Sequence, residues 1–98
     1  MSFVTVGTLE AQPGKRDQLI DILTRHRPEL VDAGCLTYDV GVSDDHSSTV
    51  FVIEQWTSEE AHREALERTS IRSAISEAMP LLTGNRGGFK FRIIGSPL

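Results

Sequence analysis

The segment Val50-Phe51-Val52-Ile53-Glu54-Gln55-Trp56 is apolar on both alternating faces, and this constrains the 98-residue chain more than any other feature. Val50, Val52 and Trp56 fall on one side of an extended strand, and Phe51 and Ile53 on the other. A strand of that kind belongs to a sheet that is covered twice. Helices of the same chain can supply one cover. A 10.8 kDa chain is expected to expose about 5,500 Å² when folded, which leaves little room for a deep private pocket, and dimerisation would extend the core. A second copy of the chain, related by C2 symmetry, is the expected other cover.

The remaining elements give that sheet its context. Residues 3–11 read as a strand, with Val4, Thr5, Val6 and Thr8 clustered. Residues 15–33 read as a helix with an apolar side formed by Leu19, Ile20, Ile22, Leu23, Leu30 and Val31. Pro28 removes a backbone donor and predicts a kink or split near Thr24–Arg27. Gly34 is placed to end this helical region. Cys35–Ser43 reads as a second strand, with Leu36, Tyr38, Val40 and Val42 on one face. A polar loop, 44–48, leads to a third strand over 49–57, which makes an antiparallel hairpin.

Thr57 or Ser58 is a candidate cap for a helix that opens with Glu59 and Glu60. That helix runs to about Arg68, with a break and new cap at Thr69-Ser70. A further helical piece carries Ile71, Ala74, Ile75, Ala78 and Met79 inward and ends near Pro80. Gly84–Gly88 reads as a flexible connection, and Phe89–Ile94 as the last strand. The order β-α-β-β-α-β predicts a single α+β domain over residues 1–98, with a ferredoxin-like four-stranded antiparallel sheet.

Composition removes several function classes. The net charge is −4 and no basic stripe is present, so no nucleic-acid partner is expected. No apolar run approaches the roughly 20 residues of a membrane span, and with no positive region and apolar stretch at Met1-Ser2-Phe3-Val4 no signal peptide is expected. With Cys35 as the lone cysteine, a cytoplasmic location is expected. His26, His46 and His62 are far apart with no helix-spaced ligand pair, so neither metal nor haem is expected.

Three segments, taken together, resemble one known family. They are Gln12-Pro13-Gly14-Lys15, the run from Pro28 to Gly34-Cys35-Leu36-Thr37-Tyr38-Asp39, and Phe51 through Trp56 to Ala61. In this order and spacing the chain resembles the antibiotic biosynthesis monooxygenases, which are dimeric α+β barrel proteins. The resemblance implies a homodimer formed sheet to sheet, and a pocket between sheet and helices for a small aromatic or apolar ligand. It also implies oxidation of quinols or aromatic polyketides by molecular oxygen with no metal or flavin cofactor. Alternatives on the same fold are a non-catalytic ligand-binding dimer and an isomerase or cyclase. The family's usual helical histidine positions hold Ala65 and Ser70 here, and the strand-one asparagine of haem-degrading relatives is replaced by Gly7.

Four residues are the candidate site. A cofactor-free oxygenase must deprotonate its substrate and hold the anion away from water. His62 borders the apolar stripe of its helix and is a candidate base, or an ordinary histidine on a helix shoulder. Glu54 shares a strand face with Trp56 and is a candidate base, or a structural partner of an arginine such as Arg92. Trp56 and Tyr38 are candidate substrate-binding residues, by stacking and by hydrogen bonding, or members of the core. The Arg25-His26-Arg27 run reads as a solvated turn or as an anion-binding mouth.

Overall fold

The computed structural model describes residues 2–98. Its strands are β1 (Phe3–Ala11), β2 (Cys35–Ser43), β3 (His46–Trp56) and β4 (Leu82–Arg92). They form one antiparallel sheet in the order β2-β3-β1-β4. Between them run α1 (Arg16–Leu23), α2 (Glu29–Asp32), α3 (Glu59–Ala65) and α4 (Thr69–Ala78), followed by a 3₁₀ turn, Met79–Leu81. This is the expected α+β, ferredoxin-like arrangement.

Pro28 acts as foreseen, because residues 24–28 interrupt the first helical region and Pro28 itself caps α2. Gly34 then turns the chain into β2 at φ 101°, a backbone region open to glycine. A Cβ there would also lie 2.7 Å from Thr57 Oγ1 and 3.2 Å from Ala61 Cβ, so the turn is packed against the start of α3. Ser58 caps α3, its Oγ accepting from Ala61 N–H at 3.0 Å.

Three expectations need correction. β4 starts at Leu82, not Phe89, and Gly84–Gly88 belongs to the strand. Its glycines permit a close approach to β1. Gly88, at φ 143°, lies opposite Gly7, and a Cβ on Gly88 would collide with Val6 O. β3 begins at His46, so the polar loop shrinks to a turn at Asp44-Asp45. In β2, Leu36 is an extra residue between Cys35, opposite Trp56, and Thr37, opposite Gln55. This bulge takes Leu36 out of phase with Tyr38 and Val40 and leaves it 53% exposed.

The helices cover one face of the sheet. Beneath them lie two buried groups. One contains Leu19, Ile22, Val50, Val52 and Ala78, and the other Phe3, Cys35, Trp56 and Ala65. The other face carries no helix and is apolar: by alternation it holds Val4, which is buried, and Val6, Phe51, Ile53, Phe89 and Phe91, of which Phe89 is 78% exposed. The chain exposes 6694 Å², well above the about 5,500 Å² typical of a folded monomer of this mass. Among the described residues no helix is long and apolar enough to cross a membrane.

Candidate active site

Glu54 sits in the middle of the helix-covered face. The antiparallel register places Thr5 of β1 on one side of it and Tyr38 of β2 on the other. Trp56 lies two residues on and therefore on the same face. Its Nε1–H donates to Glu54 Oε1 at 3.1 Å, while Thr5 Oγ1–H donates to Oε2 at 3.3 Å. The carboxylate is thus held at both oxygens. Arg92, the partner considered from the sequence, lies opposite Phe3 on β4, with β1 between it and Glu54. The acid is met instead by an indole, a hydroxyl and an imidazole.

The imidazole is that of His62. It projects from α3 toward the sheet, with Nε2 at 4.0 Å from Glu54 Oε1, just beyond direct hydrogen-bond reach. Its ring is fixed by two aromatic neighbours, Trp56 at 5.3 Å edge to face and Phe3 at 5.7 Å. Both Glu54 and His62 keep about a fifth of their side-chain surface accessible. They are neither sealed into the core nor solvated surface groups.

Tyr38 completes the group. Burial pushes its phenol up to about 12, with the Glu54 charge adding to the rise and the Arg27 charge opposing it. The hydroxyl is therefore a neutral donor throughout the physiological range. Burial, reinforced by Glu54, also raises the Cys35 thiol, whose Sγ–H donates to Thr37 O at 3.3 Å. Cys35 is a buried hydrophobe and not a thiolate nucleophile.

Tyr38, Glu54, Trp56 and His62 all border one cavity of about 240 Å³ between the sheet and the helices. Leu23, Leu30, Ile71, Ala74 and Leu82 make much of its wall apolar. Trp56 is only 2% exposed, so it offers the cavity an edge and its indole donor is already committed to Glu54. Ala65, at one of the family's usual histidine positions, lines the same cavity, and His62 brings an imidazole there from one turn earlier. Two arginines that sequence reasoning did not single out for the cavity, Arg27 and Arg86, also border it. Their signal in the sequence was weak. Arg86 lies among glycines that read as a loop, and the task of Arg27 depends on the break at Pro28. Among the described residues no group of His, Cys, Asp and Glu is arranged to hold a metal ion.

The sequence profile of the antibiotic biosynthesis monooxygenase family matches residues 2–77. The chain belongs to that family. A crystal structure from Chloroflexus aurantiacus, provisionally assigned as an antibiotic biosynthesis monooxygenase, is 28% identical with a TM-score of 0.80, covering 98% of this chain and 96% of that one. A Shewanella oneidensis protein is 25% identical with a TM-score of 0.80, covering 94% and 90%. A Mycobacterium tuberculosis protein shares the fold over the full length of both chains at a TM-score of 0.82 and 17% identity. No curated protein matches the chain. This antibiotic biosynthesis monooxygenase family member therefore has its Tyr38–Glu54–Trp56–His62 group on the helix-covered side of a shared scaffold.

Proposed function

We propose that the protein is a cofactor-independent monooxygenase that oxidises a small aromatic quinol or polyphenol with molecular oxygen. The observation that carries this reading is the convergence of Tyr38, Glu54 and His62 on one apolar cavity. Its 240 Å³ exceeds the roughly 150 Å³ that accommodates benzene and falls short of the about 300 Å³ at which drug-sized sites begin. One or two fused rings fit that interval.

A quinol hydroxyl placed beside His62 gives its proton to the imidazole, and Glu54, 4.0 Å away, stabilises the imidazolium that forms. The resulting ring anion is electron-rich and shielded by apolar walls. Tyr38, still protonated, donates a hydrogen bond to the second ring oxygen. The anion then reduces oxygen directly. One oxygen atom enters the ring at a C–H position and the other leaves as water, so quinol plus O₂ gives hydroxyquinone plus water. Four electrons pass to oxygen, two from the quinol–quinone couple and two from the C–H bond. Trp56 and Thr5 keep the Glu54 carboxylate in place throughout. Oxygen-electrode assays with a panel of quinols and anthrones test the reading. Wild type consumes oxygen and yields the hydroxyquinone from a quinol or the anthraquinone from an anthrone, with one water in each case, whereas the Glu54→Ala/His62→Ala double variant loses turnover. No turnover on any quinol, or turnover unchanged in the double variant, refutes it.

The working form is a homodimer in the cytoplasm, paired through the open sheet face. The surface in excess of the monomer expectation exceeds the about 800 Å² that one partner buries in a standard interface. Sedimentation at micromolar concentration is expected to give twice 10.8 kDa, and Phe89→Ser with Ile53→Asp to give the single-chain mass. A wild-type monomer overturns the pairing.

A further inference from the structure

The break between α1 and α2 carries Arg25, His26 and Arg27, and their surroundings give the two arginines different tasks. Arg25 has its charge paired on α4: its Nη1 and Nη2 donate to the two Glu77 oxygens at 2.9 and 3.0 Å. Arg27 turns inward and is half-buried. Its Nη2 donates to Ile22 O at 2.8 Å and its Nη1 to Arg25 O at 3.3 Å. A guanidinium has five N–H donors, so most of this one's hydrogen-bonding capacity remains. Among the described residues no carboxylate pairs with Arg27 or with Arg86.

The position of Arg27 gives that spare capacity a direction. A second, more open recess of about 450 Å³ lies between the 24–28 segment and β2. Arg27 and Tyr38 border both this recess and the inner cavity, so they stand in the wall where the two meet. Across the inner cavity, Arg86 reaches in from β4. The cavity therefore has two guanidinium groups and a single acid, Glu54, whose oxygens are already held by Thr5 and Trp56. An apolar site with an unmatched, partly desolvated cation selects a ligand that brings the opposite charge.

We propose that Arg27 determines specificity in this cavity and that the substrate is an aromatic acid, its carboxylate on the Arg27 fork and its ring hydroxyl toward His62 and Glu54. The oxidation step rests on the monooxygenase reading, whereas recognition of the acid does not. Two measurements separate them. Calorimetric titration with 2-naphthoate and 2-naphthol, neither a quinol, reads recognition alone. Wild type is expected to bind the acid roughly 10- to 100-fold more tightly, the range of a charge-assisted hydrogen bond. Arg27→Gln keeps donors for Ile22 O without the charge and is expected to weaken the acid far more than 2-naphthol, so that the preference is lost. Arg27→Lys restores part of it. Oxygen uptake with 1,4-dihydroxy-2-naphthoate and 1,4-naphthohydroquinone then reads the reaction, with Arg27→Gln raising KM for the acid more than for the unsubstituted quinol. Preferential acid binding without oxygen uptake sustains the Arg27 assignment and fails the monooxygenase reading. Equal binding of the two naphthalenes, or a preference that survives Arg27→Gln, means that Arg27 only closes the end of α1, and overturns the assignment even if both quinols are oxidised.

Discussion

Tyr38 is the single tyrosine of the chain, so absorbance at 295 nm reports its phenol alone. The native phenol is expected to titrate near 12, against about 10 in the unfolded chain. Below pH 10 both states keep the proton. Between 10 and 12 the unfolded chain releases it and the folded protein does not, so stability falls as pH rises through that window. At pH 11 the unfolded state gains about 1.4 kcal/mol from this one ionisation, and the full two-unit shift amounts to about 2.7 kcal/mol. Equilibrium urea titrations of wild type and Tyr38→Phe at pH 9 and pH 11 isolate the effect, because phenylalanine does not ionise. The stability difference between the two proteins is expected to move by about 1.4 kcal/mol against wild type. Two variants test the cause. Glu54→Gln lowers the native midpoint but leaves it above 10, since burial is the larger contribution, and Arg27→Gln raises it. A native midpoint at 10, with far-UV dichroism still that of the folded protein, would refute the placement of Tyr38 in a desolvated wall beside Glu54.

Two further outcomes concern the frame of the site. Ser58→Ala removes the α3 cap and is expected to cost about 1 kcal/mol, seen as a fall of roughly 4–8 °C in Tm. Gly88→Ala drives a methyl group into Val6 O and is expected to cost about 3 kcal/mol or more, whereas Gly41→Ala, with nothing within 4 Å of the new carbon, stays within about 0.5 kcal/mol by urea denaturation.

Local pattern revealed what lies on one element, and long-range register decided the rest. Glu54 and Trp56 are two apart on a strand, so their shared face is readable from the sequence, as is the Ser58 cap. The partners of Glu54 are not. Thr5 stands 49 positions away, and only the β1–β3 pairing puts it, and not Arg92, beside the acid. Period-two alternation failed at Leu36 because a bulge changes phase without leaving a composition signal. Gly84–Gly88 reads as a loop because glycine lacks strand propensity, yet those residues serve the sheet by letting β4 come close to β1 at Gly7. His62 lies on an amphipathic helix with nothing in its spacing to fix its direction. The contacts with Phe3 and Trp56 fix it.

The two buried groups beneath the helices meet at the cavity, which is bordered by Leu23, Ala74 and Ala78 from one and by Leu30, Trp56 and Ala65 from the other. A molecule seated there acts as a keystone, continuing a hydrophobic interior that the polypeptide leaves open. Folding and ligation are then one linked equilibrium: an occupant at a hundred times its Kd adds about 2.7 kcal/mol to the folded state. The melting temperature of the protein thus becomes a gauge of what it recognises, able to rank aromatic acids before any of them has been seen to react.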